Sequence, residues 1–104
     1  MMSKAFEEAL KGAEAGDPGL QFIVGSHYQL GFEGMKKDFE KAIYWMTKSA
    51  DAGFPGAQYY LGTYYFYGKC GLAKDLTKAK HWLSKASAQG HEIDDEDMAN
   101  LLAE

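Results

Sequence analysis

Residues 57–90 read AQYYLGTYYFYGKCGLAKDLTKAKHWLSKASAQG, and residues 20–53 read LQFIVGSHYQLGFEGMKKDFEKAIYWMTKSADAG. Laid over each other, the two stretches keep one register with an offset of 37 residues. Gly25 falls on Gly62, Tyr28 on Tyr65, Gly31 on Gly68, Asp38 on Asp75, Lys41 on Lys78, Ala42 on Ala79 and Trp45 on Trp82. The register continues outside them: Pro18 pairs with Pro55, Gln21 with Gln58, and Gly16, Gly53 and Gly90 each stand 37 residues from the next. Chance does not align both prolines and both tryptophans of a chain. A fixed period between about 20 and 50 residues marks a solenoid, a propeller or an array.

Each unit reads as two helices. In the second helix of unit one, Ala42, Trp45, Met46, Ser49 and Ala50 recur at the spacing of one helical face. Ala79, Trp82, Leu83, Ala86 and Ser87 occupy the same places in unit two. Asp38 and Asp75 precede these helices and can accept from their free N–H groups. Gly53 and Gly90 follow them and suit the left-handed conformation of a helix end. The first helix of unit two starts at Pro55, whose missing N–H is no loss in a first turn. Ala57, Leu61, Tyr64 and Tyr65 form its core stripe, and Gly68 ends it. Gly62 interrupts this helix, as Gly25 does in unit one, at a cost of about 1 kcal/mol against alanine. A recurring glycine in mid-helix predicts close helix–helix approach.

The ends are fractions of a unit. Residues 4–16, KAFEEALKGAEAG, match a second helix, with Glu8 where the tryptophans stand. The last stretch, DDEDMANLLAE, matches a first helix, with Met98, Ala99 and Leu102 at the places of Leu61, Gly62 and Tyr65. Its acidic start suits the positive end of a helix dipole. Polar, atypical ends are how solenoids stop growing. The expected fold is therefore an all-α superhelix of about six antiparallel helices. Its parts are an N-terminal half-unit (1–16), unit one (17–53), unit two (54–90) and a C-terminal capping helix (91–104).

The pattern A-x-x-x-L-G-x-x-Y-x-x-G, followed by D-x-x-K-A-x-x-W-x-x-K-A/S-A/S-x-x-G, resembles the Sel-one-like repeat, a relative of the tetratricopeptide repeats. Unit one departs from it with Leu20 for the small residue and Val24 for the leucine. The resemblance spans nearly the whole chain. It implies an α–α superhelix, a protein-binding or adaptor role, and frequent occurrence in bacteria. One branch of the family is secreted and carries paired cysteines in each unit, whereas this chain has only Cys70. Another use of such proteins in bacteria is immunity against a toxin, by covering it.

Bulk properties agree with one ordinary domain. The chain has 104 residues, 46% of them apolar and 25% charged, and 14% aromatics supply core volume. The formal charge of −4 argues against nucleic acid, whose phosphates need a basic face. Lys36, Lys37 and Lys41 cluster in sequence, but such a cluster reads as a solvated helix start. One cysteine cannot form an internal disulfide, which fits a reducing compartment. Acidic residues interrupt the first stretch, MMSKAFEEALKGAEAG, which is expected to be neither a signal peptide nor a membrane span. A cytoplasmic protein is expected.

The histidines His27, His81 and His91 have no partner at metal-ligand spacing, and the acids 94–97 lack the spaced ligands of a calcium loop. The glycine pairs around Glu33 and Cys70 lack the phosphate-loop pattern. Cys70 reads as an ordinary loop thiol beside Lys69. No catalytic residue, metal or cofactor is expected. By resemblance to tetratricopeptide solenoids, the first helix of each unit lines the concave face. That face would hold Phe22, Ser26, Gln29 and Leu30 in unit one, and Tyr59, Thr63, Phe66 and Tyr67 in unit two. Aromatics anchor interfaces, so these are the candidate partner-binding residues, with packing against neighbouring helices as the competing role. The function read from this is a protein-interaction module. An immunity or inhibitor protein and a self-assembling structural protein are the alternatives, and the sequence leaves the oligomeric state open.

Overall fold

The computed structural model describes residues 3–104, so Met1 and Met2 of the N-terminal half-unit lie outside the described residues. Local chemistry sets the helix starts. The side chains of Ser3, Asp17, Asp38, Asp75 and Asp95 each accept from a backbone N–H three residues on, capping an end that has no internal partner. The helices they start are α1 (Lys4–Glu14), α2 (Pro18–Leu30), α3 (Phe39–Asp51), α5 (Leu76–Ala88) and α6 (Glu96–Leu102); between α3 and α5 lies α4 (Pro55–Tyr67), with its proline in the first turn. A single 3₁₀ turn at Phe32–Gly34 succeeds α2. Gly31 and Gly68 end α2 and α4 at φ 69° and 70°, a left-handed conformation that side chains disfavour.

The helices pack in chain order, each on the next, into an all-α solenoid measuring 45 × 24 × 18 Å. The two mid-helix glycines explain how closely the pairs approach. A Cβ at Gly25 would sit 3.2 Å from the Met46 nitrogen and 3.3 Å from the Ala42 oxygen on α3. One at Gly62 would sit 2.7 Å from Leu83 Cγ and 3.2 Å from the Leu83 nitrogen on α5. A further tie recurs in both units: the Asp38 N–H donates to the Tyr28 carbonyl (2.8 Å) and the Asp75 N–H to the Tyr65 carbonyl (2.9 Å). Lys41 and Lys78 lie over the rings of Tyr28 and Tyr65, at 5.4 and 5.3 Å.

Three apolar clusters succeed one another along the chain. The first gathers Phe6, Ala13, Val24, Tyr28, Ala42 and Trp45, the second Met46, Ala50, Ala57, Leu61 and Tyr64, and the third Ala79, Leu83, Met98 and Leu101. All five residues expected on the buried face of α3 are buried. On α5 the expectation holds for Ala79, Leu83 and Ala86, but Trp82 is half-buried and Ser87 is exposed. Trp82 packs back on the second cluster, whereas the exposure of Ser87 follows from the late start of the last helix. A full third unit would start its helix at residue 92, the counterpart of Pro55, whereas α6 starts only at Glu96 and leaves the end of α5 uncovered. Met98 of α6 is buried as expected, and Leu101, at the place of Tyr64, is buried beside it. In α1 the buried aromatic is Phe6, packed on Tyr28 at 5.6 Å, and it does for the first cluster what the tryptophan position does not.

Alanine in place of glycine ordinarily favours a helix interior by about 1 kcal/mol. At Gly62 we expect the reverse. Gly62→Ala should destabilise the protein by about 1–3 kcal/mol through overpacking against Leu83, read as a fall in melting temperature; an unchanged or higher value would contradict the close approach.

Candidate functional site

The first helices of the two units, α2 and α4, lie side by side. Phe22 of α2 packs against Phe54 (5.2 Å between ring centres) and Tyr60 (5.3 Å). The Tyr64 hydroxyl crosses to α2 and donates to Gln29 Oε1 at 2.7 Å. Burial, foremost, pushes the Tyr64 phenol well above its ordinary pKa, so it stays a donor across the whole physiological range. Next to this bond lies an open cleft of about 230 Å³ lined by Gln29, Leu30, Tyr59, Tyr60, Thr63, Tyr64 and Lys69.

Of the residues expected to meet a partner, Gln29, Leu30, Tyr59 and Thr63 line this cleft together. Phe22, Ser26, Phe66 and Tyr67 do not. Ser26 donates to its own helix, at the Phe22 carbonyl (3.0 Å). Phe66 packs on the third core cluster, half-buried, with Lys74 Nζ 6.0 Å from its ring. Tyr59 packs on the same cluster and lies 4.7 Å from the His91 ring. Thr63 donates to the Tyr59 carbonyl (2.9 Å) and lies 3.6 Å from the Met98 sulfur. The Tyr59–Thr63–Phe66 stripe is thus the seat of the C-terminal segment that carries α6.

Two units that match at a period of 37 residues, two-helix geometry and glycine-mediated contact together define the repeat. The Sel1 repeat family model matches residues 20–54 and 55–91, together well over half of the chain. This chain belongs to the Sel1 repeat family. A solved structure of a Sel1 repeat protein from Oxalobacter formigenes superposes with a TM-score of 0.77 at 31% sequence identity. The match covers 85% of this chain and 65% of that protein, so the chain spans less than two thirds of its length. No curated protein matches the sequence.

Within this Sel1 repeat chain, the residues that sequence reasoning overlooked are Ile23 and Tyr60. Both are exposed on the first helix of their unit, at matching repeat positions, as are Leu30 and Tyr67. The 37-residue comparison contained the signal: apolar side chains recur at these two positions without contributing to the core. Cys70 takes a left-handed conformation (φ 56°) at the position of Glu33. Burial raises its thiol pKa and outweighs the opposing charge of Lys69, so it is a poor nucleophile at neutral pH. Among the described residues no three His, Cys, Asp or Glu side chains are grouped to hold a metal ion, and no helix is long and apolar enough to cross a membrane.

Tyr67 reaches out of α4 to the C-terminal segment, where its hydroxyl donates to Asp95, the residue that caps α6. That bond, with the Met98 N–H, holds the Asp95 carboxyl below its ordinary range and pushes the Tyr67 phenol up to about 12. The depressed acid favours the folded segment above the ordinary carboxylate pKa of about 3.9, and the contribution disappears as pH falls through the lowered value. The raised phenol favours it below about 10, and that contribution disappears as pH rises through the raised value. Tyr67→Phe should move the Asp95 titration upward toward its ordinary range when followed by carboxyl NMR. An unmoved titration would show that the bond does not persist in solution.

Proposed function

We propose that this protein is a cytoplasmic protein-binding module of the adaptor type, not an enzyme, and that its concave face, built from α2 and α4, holds a segment of a partner protein. Sel1 repeat proteins are typically non-catalytic adaptors, and membership of the family supports this reading in its general form. The observation that carries the finer form is the set of four large apolar side chains at matched repeat positions. Ile23 and Leu30 of α2 are 42% and 47% exposed, and Tyr60 and Tyr67 of α4 are 39% and 44% exposed. Their side chains stay exposed even where they touch the body of the protein, as Tyr60 does at Phe22 and Tyr67 at Asp95. Clustered exposed apolar side chains mark recognition surfaces.

The cleft beside them adds polar anchors. Gln29, Thr63 and Lys69 sit among the tyrosines, so an apolar side chain of the partner can be gripped while its backbone finds donors and acceptors. A short groove of two units holds an extended stretch or one helix of the partner. Its anchor residues are Ile23, Gln29, Leu30, Tyr60, Thr63 and Tyr67, whereas Tyr59, Phe66 and Phe22 serve mainly to seat neighbouring segments.

The test is a pull-down from source-cell lysate with wild type, Ile23→Ser/Tyr60→Ser and the control Leu76→Ser. Leu76 is equally exposed but lies at the start of α5. Circular dichroism first establishes that all three fold alike. A partner held by wild type and Leu76→Ser, and lost by the double variant with an affinity drop of about tenfold or more, is the expected result. A partner held equally by all three would move the site off this face.

A further inference from the structure

Gln21 and Gln58 hold the same place in the two units, and their amide nitrogens make the same bond. Gln21 Nε2 donates to the Ala13 carbonyl (3.1 Å) and Gln58 Nε2 to the Ala50 carbonyl (3.2 Å). A carbonyl only accepts, so these bonds settle which end of each carboxamide is the nitrogen. The oxygens then differ. Gln58 Oε1 accepts from Gln89 Nε2 at 2.9 Å, and the same Gln89 nitrogen donates to the Gly53 carbonyl at 2.8 Å. Gln21 is only 6% exposed, and its Oε1 has no donor among the described residues. The repeat explains why: the residue at the place of Gln89 is Ala52, whose methyl group has nothing to donate. Leaving a buried acceptor unpaired is destabilising, and native interiors contain few such atoms.

Gln21 is among the residues that line a surface pocket. The pocket measures about 250 Å³, and its lining includes Glu14, Gly16, Gln21, Tyr44, Trp45 and Lys48. Gly16 stands where Gly53 stands in unit two, and Trp45 where Trp82 stands. Gly16 and Gln21 thus hold the repeat positions of Gly53 and Gln58, the two residues that Gln89 bonds in unit two.

We propose that this pocket is a carboxamide-binding site that takes the glutamine side chain of a partner protein. The partner's nitrogen donates one proton to Gln21 Oε1 and the other to the Gly16 carbonyl, as Gln89 does for Gln58 and Gly53. Gln89, the unit-two counterpart, sets the class of ligand, and the donor count agrees with it. A primary amide carries two protons on one nitrogen. A carboxylate carries none at neutral pH, and a backbone amide carries one. An ammonium group also has enough protons, and since Lys48 opposes its charge while Glu14 favours it, the lysine probe decides that case. Tyr44 and Trp45 offer ring surface to the methylene groups of the incoming side chain. The site lies apart from the α2–α4 cleft, and the proposal does not depend on that cleft binding anything.

The experiment uses the ¹⁵N-labelled full chain and, as probes, N-acetyl-glutamine methylamide and its glutamate and lysine counterparts. The glutamine probe should give saturable shifts of the Gln21 side-chain amide and the Trp45 indole N–H. The glutamate and lysine probes should not. Ala52→Gln should abolish the response by supplying the carboxamide from within. That variant should fold, because Ala52 is exposed and shares its backbone conformation with Gln89 (φ −79°, ψ −1° against φ −92°, ψ 7°). Independently of any probe, Ala52→Gln should melt about 4 °C or more above Ala52→Glu, which has the same shape without the donor. Absence of saturable shifts, an equal response to glutamate or lysine, or a response that persists in Ala52→Gln would each overturn the proposal. Equal melting temperatures of the two variants would overturn the donor geometry on which it stands.

Discussion

Where the two helices of each unit come closest, no side chain intervenes on one of them. The α2 backbone at Gly25 meets the α3 backbone between Ala42 and Met46, and the α4 backbone at Gly62 meets α5 at Leu83. Other features of the unit are arranged around that contact. It requires alanine or a similarly small residue one turn away on the opposite helix, which Ala42 and Ala79 provide with full burial. It lets the loop return so tightly that the N–H of the next capping aspartate bonds to the tyrosine carbonyl of the first helix. It also leaves the larger side chains, Val24, Leu61, Met46 and Leu83, to fill the space on either side. A solenoid is held only by contacts between neighbours, so the spacing within one unit propagates to the next.

Packing of one unit on its neighbour depends on polar bonds at the turn between them. Gln21 and Gln58 each bind the carbonyl near the end of the preceding second helix, while within unit one Ser49 donates to the Pro18 carbonyl at 2.7 Å. These side chains are buried and would be costly without partners. The same glutamine bond recurs in both units except at the carboxamide oxygen, where Gln89 serves one unit and Ala52 leaves the other open. Comparing a repeat with itself thus separates what the fold requires from what one copy alone has. Matching positions identify packing, and a mismatch beside a repeated bond marks a place where something else can enter.

Much of the fold was legible in the 37-residue register, because caps, terminal glycines and a small-residue face are local properties repeated in the chain. The buried face of α3 comes from its own spacing. Ser87 could not be read in this way, since its burial depends on a helix that starts four residues later than the repeat implies. The candidate site was legible only in part. Successive residues on a helix point about 100° apart, so Tyr59 lies between the cleft and the α6 seam while Tyr60 is the more exposed of the two. That difference turns on where the next helix lies, which a pattern within one unit does not contain. Phe6 was hidden for a related reason: it fills the first cluster from a position held by Ile43 and Lys80 in the full units, away from the expected tryptophan place at Glu8.

Asp95 performs two tasks with one carboxylate: it caps α6 and receives the Tyr67 hydroxyl from α4. A helix of seven residues does not persist alone in water. Nucleation of α6 and its attachment to the body of the protein are therefore one event and not two. The C-terminal end is thereby tied to the body of the protein through the same residue that starts its helix. Met98 and His91 of that end lie against Thr63 and Tyr59, two residues that also line the cleft beside Gln29. The width of α4 surface left open is in this sense set by where one short helix is latched.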